Sequence, residues 1–173
     1  MIEARENIEM IFITLGSQKF QFNRLLEAVD RLVETGEIEE SIFAQTGYSD
    51  YRPLRYQFVP FLNHDEFEKY MESADIVITH GGTGAIIGAV KKGKKVIAVP
   101  RLEKYGEHVD DHQTQLIDEF TRLNLVCGVR KCDDLGKALK AVREMEFSTY
   151  ESNSGRFIED LGGYIEKCRG EKA

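Results

Sequence analysis

His80-Gly81-Gly82-Thr83-Gly84 places three glycines in four residues, beside an imidazole and a hydroxyl. That composition suits a phosphate. A residue without a Cβ lets the backbone approach an anion closely and adopts φ > 0 at little cost. The apolar run Ile76-Val77-Ile78 ahead of the glycines reads as a buried strand, and 84–92 behind them as a helix. The bare N–H groups of the turn and the positive end of the helix dipole then face one spot. Thr83 adds a hydroxyl donor and His80 an imidazole N–H. A tight strand-to-helix turn would account for the glycines alone, but less well for the histidine and threonine among them. The spacing is not that of a dinucleotide fingerprint, because Gly88 falls one residue late after Gly82-x-Gly84. No G-K-[ST] follows, so this is not a Walker loop.

A second turn, Leu15-Gly16-Ser17-Gln18-Lys19, follows another apolar run and could close the other side of the same crevice. An ordinary βα turn would look the same. A third segment, 101–115 (RLEKYGEHVDDHQTQ), is dense in hydrogen-bonding side chains. Asp111, His112, Gln113 and Gln115 open a helix there, where carboxylates and amides can grip sugar hydroxyls or simply cap the helix through Asp110 or Asp111. His108 and His112 are four apart, a spacing that metal sites use, but no third ligand is evident, so no metal is expected. The lysines of Lys91-Lys92-Gly93-Lys94-Lys95 complement a helix C-terminus and are expected to be solvated, with anionic headgroups or an acidic partner as the other reading. There is no D-x-D pair for a divalent ion on a nucleotide-sugar diphosphate, no G-x-S-x-G elbow and no evident Cys–His pair.

The elements that must position these groups alternate. Strands are expected over 10–15, 41–46, 55–59, 76–79, 96–99 and 125–129, and helices over 22–33, 66–73, 84–92, 112–123, 135–145 and 155–168. Near-continuous apolar strands alternating with helices predict an α/β fold, a Rossmann-like parallel sheet of about six strands with helices on both faces. In the spatial order 3-2-1-4-5-6, strands 1 and 4 are neighbours at the switch point, where ligands bind outside the carboxyl ends. The two glycine turns leave those two ends, so topology and composition select one place.

The chain has 173 residues, 42% of them apolar and 31% charged, and a net charge of −7. That suits one soluble domain over 10–173, preceded by a charged arm at 1–9. The acidic balance disfavours non-specific binding to nucleic acid. No apolar run approaches the ~20 residues of a membrane span, and no secretory leader is evident. Three cysteines without a C-x-x-C fit reduced cytosolic thiols better than a disulfide framework.

The segments VITHGGTGAIIGAVKKGKKVIAVPR (77–101), EHVDDHQTQL (107–116) and IFITLGSQKFQFNRLLEAVD (11–30) resemble the C-terminal, donor-binding half of GT-B glycosyltransferases, and within it the family 28 C-terminal domain. The likeness covers roughly 10–142. The group includes the catalytic subunit of a eukaryotic two-protein UDP-GlcNAc transferase of dolichol-linked oligosaccharide synthesis and bacterial exopolysaccharide and capsule transferase subunits. The opening segment is most similar to the bacterial ones. The resemblance implies that Gly16 and Ser17 lie against the donor diphosphate. Phe61 and Leu62 would offer backbone groups to uracil, and His80, Gly81, Gly82, Thr83 and Gly84 would hold the phosphates. His112 and Gln113 would contact the donor sugar. Complete single-chain relatives often carry a ribose-binding glutamate where this chain has Gly88.

The implied chemistry is transfer of a hexose from a UDP-sugar, with charge on the departing diphosphate met by preorganised N–H donors rather than a metal or cofactor. An inverting transfer also needs a general base near the acceptor hydroxyl. In GT-B enzymes it sits on the other domain. A membrane-associated partner subunit carrying a lipid-linked sugar acceptor is therefore expected, with this chain cytoplasmic and held through it at the inner face of the membrane. His80 is the one candidate catalytic group in this chain. The alternatives are a non-catalytic nucleotide-binding enhancer of a glycosyltransferase and an NAD-dependent or epimerase-type enzyme on a similar fold.

Overall fold

The computed structural model describes residues 9–150. Most of the expected N-terminal arm, the expected last helix and Cys168 lie outside them. The elements run β1 (Met10–Thr14), α1 (Asn23–Glu34), β2 (Ser41–Gln45), β3 (Gln57–Val59), α2 (His64–Ser73), β4 (Ile76–Thr79), α3 (Thr83–Lys91), β5 (Lys95–Ala98), α4 (His112–Arg122), β6 (Cys127–Gly128) and α5 (Leu135–Glu144). Short 3₁₀ turns at Glu103–Tyr105 and Cys132–Asp134 precede α4 and α5. Every strand pairing is parallel, and the order is β3-β2-β1-β4-β5-β6, as the alternation predicts.

Both faces of the sheet are covered because successive strand residues are apolar. Ile11, Ile13, Ile42, Ile76, Ile78 and Ile97 pack with α1 and α5 on one side. Phe12, Phe43, Val77, Val96 and Ala98 pack with α2, α3 and α4 on the other. With period-2 alternation, a strand buried on both faces must be apolar at every position.

Two boundaries differ from expectation for local reasons. β3 begins at Gln57, not at 55, because the Leu54 and Arg55 N–H groups donate to the buried Asp30 carboxylate at 2.9 and 3.1 Å and so cannot join the ladder. β6 is confined to Cys127–Gly128. α4 ends in a Schellman motif with Asn124 at φ 54°, and the Leu125 N–H still bonds back to Phe120 O, so the chain is turning where a strand was expected. The Asp133 and Asp134 side chains do not cap α5; the 3₁₀ turn feeds that helix directly. Gly36, at φ 76°, closes α1, and Asn63 caps α2 in a reciprocal capping box with Glu66.

The lysine run spans the end of α3 and the start of β5 and is largely stitched into the fold. Lys92 pairs with Glu68 at 2.8 Å, Lys94 Nζ donates to Glu72 O, and Lys95 Nζ to Arg143 O. Among the described residues no helix is long and apolar enough to cross a membrane.

Candidate functional site

β1 and β4 are adjacent and in register, Thr14 opposite Thr79, and the Thr79 hydroxyl donates to Thr14 O at 2.8 Å. The two glycine turns therefore leave the sheet side by side at its carboxyl edge. Gly16 adopts φ 73°, which a side chain would strain. α3 starts at Thr83 with Gly82 as its N-cap, and no side chain caps it. The first helical bond runs from Ile86 N–H to Gly82 O, so the preceding amides of the helix's first turn have no intrahelical acceptor.

The gap between the bends is not open space. The His80 ring occupies it: a Cβ on Gly16 would sit 2.8 Å from His80 Nε2, and one on Gly82 would sit 2.3 Å from Cε1. The expectation that the two bends cup a ligand directly between them is corrected accordingly. The open volume, about 290 Å³, lies toward α3 and is bordered by Thr14, Gly16, Ser17, Gln45, Gly84 and Gly88. A Cβ on Gly84 or Gly88 would meet no atom within 4 Å. Gly88 is thus part of the wall.

Gln113 organises the turn from the first turn of α4. Its Oε1 accepts the N–H groups of Gly81 and Arg101, each at 3.0 Å, which fixes the amide orientation. Its Nε2 then donates to His80 Nδ1 at 3.2 Å. By this network Nδ1 is the acceptor and the His80 proton sits on Nε2. Burial, aided by the Arg101 charge, lowers the His80 pKa to about 3. The imidazole is neutral and presents an N–H at Nε2. Its lone pair at Nδ1 is engaged by Gln113, so the ring is a donor rather than a general base.

The structure brings most of the expected residues to this edge, but with altered roles. The Gly81 N–H is taken by Gln113 and does not face a ligand. Gln113 is 3% exposed with its amide committed inside the protein, which does not match direct sugar contact. The Leu62 N–H donates to Gln45 Oε1 at 3.2 Å, and Gln45 also lines the cavity. Phe61 is exposed, its ring edge-on to Tyr48. His112 is half-buried, with Nδ1 paired to Asp110. Asp110 also accepts the His112 N–H, and Asp111 accepts that of Glu103, so the two aspartates hold the start of α4 without conventional capping.

Arg101 is the principal residue that spacing did not mark. It is 1% exposed. Nη2 donates to Leu15 O and Nη1 to Phe20 O at 2.8 Å, binding the turn after β1 to the loop after β5. Burial lowers its pKa to about 10, with Glu107 opposing. The Glu107 carboxylate is committed elsewhere, to a two-pronged pair with Arg24 at 2.8 and 2.9 Å. A buried positive charge without a carboxylate of its own thus lies directly behind Gly16. One signal was legible: an arginine immediately after the apolar run 96–99 and Pro100. A larger cavity of about 450 Å³ lies beside Arg24, Arg31, Lys104 and Arg130, between α1 and the loops after β5 and β6. No glycine lines it. Cys127 and Cys132 are free, and burial pushes the Cys132 thiol up to about 11, which makes it unreactive.

Residues 10–161 match the glycosyltransferase family 28 C-terminal domain. Among curated proteins, the chain is 31% identical over 68 residues to the UDP-N-acetylglucosamine transferase subunit ALG13 of Candida albicans, covering 39% of this chain and 22% of that one. It is 32% identical over 87 residues to the subunit of the same name from Yarrowia lipolytica, covering 49% and 42%. The chain thus spans less than half the length of these relatives. In fold it is similar to the NMR structure of ALG13, with a TM-score of 0.60 at 17% identity over 88% of this chain and 94% of that one. With the match running through the whole described sheet and both glycine turns, the chain belongs to the glycosyltransferase family 28 C-terminal domain family.

Proposed function

We propose that this chain is the donor-binding subunit of a UDP-sugar-dependent glycosyltransferase. It transfers a hexose to a lipid-linked sugar acceptor in exopolysaccharide or capsule synthesis, together with a membrane-associated, acceptor-binding partner subunit at the inner face of the membrane. The observation that carries this reading is the uncapped N-terminus of α3 beside the Gly16-Ser17 turn, across one cavity walled by glycine. Amides of the first turn of α3, the Thr83 hydroxyl and the Nε2–H of His80 are the donors for the diphosphate. Arg101 adds a fixed positive charge behind them. As the glycosidic bond breaks, negative charge grows on the departing UDP, and these donors are already oriented toward it. No step requires a metal on the diphosphate. Gly16, Ser17, Gly84 and Gly88 form the walls, with Gly82 at the N-cap of α3 behind them, while Phe61 and Leu62 approach the uracil and His112 the sugar. The general base comes from the partner, because His80 has no free lone pair for that role.

Thermal shift with UDP, a panel of UDP-sugars and NAD tests the ligand class, since a ligand of the native state raises the melting temperature. UDP and at least one UDP-sugar should stabilise the chain. Stabilisation by NAD alone would replace the donor reading with a dehydrogenase or epimerase one. Co-purification with the neighbouring subunit, followed by a transferase assay, tests the partnership. Full turnover by this chain alone would refute it. In the reconstituted pair, His80→Ala should lower turnover by about 100-fold, the usual loss for one preorganised donor. An enhancer without a donor site would keep its turnover.

A further inference from the structure

We propose that His108, Asp110 and His112 form a binding site for a borderline transition-metal cation, of which Zn2+ is the type, in the loop between β5 and α4. The residues offer one ligand atom each, and the three atoms lie within 4.8 Å of one another. The third ligand that histidine spacing alone did not reveal is Asp110. Both imidazoles turn Nδ1 toward its Oδ1, His112 in a close pair and His108 at 3.4 Å. A second observation points to a ligand. His108 is 8% exposed, and its Nδ1 is buried without a hydrogen bond. A buried imidazole nitrogen is seldom left so, and a cation shared with the carboxylate that it faces satisfies it.

Two imidazoles and one carboxylate select Zn2+, Co2+ or Ni2+ over Mg2+ and Ca2+, which prefer all-oxygen shells. Three protein ligands match an open tetrahedral site. Entry of the ion exchanges the Asp110–His112 hydrogen bond for two metal bonds and ties His108 to the first residue of α4. The His108 ring also lies against Phe20, in the segment after Gly16-Ser17, with centroids 5.2 Å apart. The bound ion therefore ties the loop after β5 to the segment that follows the Gly16-Ser17 turn. It does not sit on the diphosphate, and its binding is read without nucleotide, so its failure leaves the donor reading untouched.

The test uses the untagged full chain, stripped with a chelator. Co2+ titration should give ligand-field absorption saturating at a single ion per chain, reversed by Zn2+ and not by excess Mg2+. His108→Ala, Asp110→Asn and His112→Ala should each weaken Zn2+ binding at least tenfold by calorimetry, while the exposed His64→Ala should not. Zn2+ should also raise the melting temperature of the wild type and not of the triple variant, whose circular dichroism reports whether it is folded. Binding that survives loss of both loop histidines would place the ion on the thiols and overturn the proposal. So would the absence of saturable binding, or equal competition by Mg2+.

Discussion

Gln113 determines which nitrogen of His80 carries the proton. Two backbone N–H groups, from Gly81 and Arg101, converge on Gln113 Oε1, and this leaves its Nε2 as the donor to His80 Nδ1. One side chain thereby couples the first turn of α4, the loop after β5 and the glycine turn after β4. The imidazole beside Gly16 and Gly82 is held as a neutral donor rather than an acid or a base.

Replacing Gln113 should therefore act through the turn. Gln113→Leu leaves two buried N–H groups unpartnered, at about 1–3 kcal/mol each. Urea unfolding should show a lower midpoint with an unchanged slope. Gln113→Glu keeps an acceptor for both amides but cannot donate to His80. Its carboxylate should draw a proton onto the ring, visible as a raised imidazole pKa by NMR titration.

The lowered pKa of His80 sets a pH dependence. The folded value, about 3, lies below the ordinary histidine value of about 6.5. Between them the unfolded chain binds the extra proton, so stability rises with pH across this window. The contribution is complete above about 6.5 and is lost as pH falls toward 3. The wild type should therefore lose more stability than His80→Gln between pH 7 and pH 5, by melting temperature. An equal loss in both would mean that the ring is not buried neutral.

Gly84 and Gly88 separate stability from ligand binding. Both lie in α3 with open space at the Cβ position, so the backbone does not need glycine there. Gly88→Ala should stabilise the fold by up to about 1 kcal/mol through helix propensity. Gly88→Leu should fill the cavity, leave circular dichroism unchanged and weaken UDP binding at least tenfold, about 1.4 kcal/mol. Gly82→Ala differs: its φ of −79° suits alanine, but the methyl would collide with the His80 ring. It should lower both UDP affinity and melting temperature.

Arg101→Met removes a charged donor from several buried carbonyls, at a cost of at least about 2 kcal/mol. Arg101→Lys should recover only part of this, because an ammonium cannot reproduce the planar fork that spans Leu15 O and Phe20 O. Denaturant midpoints of the three proteins give the order directly.

The architecture was legible because each strand carries apolar residues at consecutive positions and each helix a periodic stripe, and strand order placed Gly16 beside His80. The parts that were not legible depend on partners distant in sequence. The late start of β3 follows from Asp30, far upstream, and the short β6 from an asparagine doing the work of a C-terminal glycine at position 124. At the site, glycine spacing marked the turn. Nothing local shows that Gln113 faces inward, that the Gly81 and Leu62 amides are taken, or that Asp110 joins two histidines. Arg101 and Glu107 look like loop charges until tertiary packing buries them.

The clamp that Arg101 places on Leu15 and Phe20 reaches back more than eighty positions along the chain. During synthesis, the first strand leaves the ribosome long before the guanidinium that fastens its outgoing bend. It also precedes the strand that will sit beside that bend. The ligand cradle is therefore a late product of translation. A nascent chain halted ahead of residue 101 would have much of its sheet but no clamped cradle, and under the proposed function it should not bind UDP.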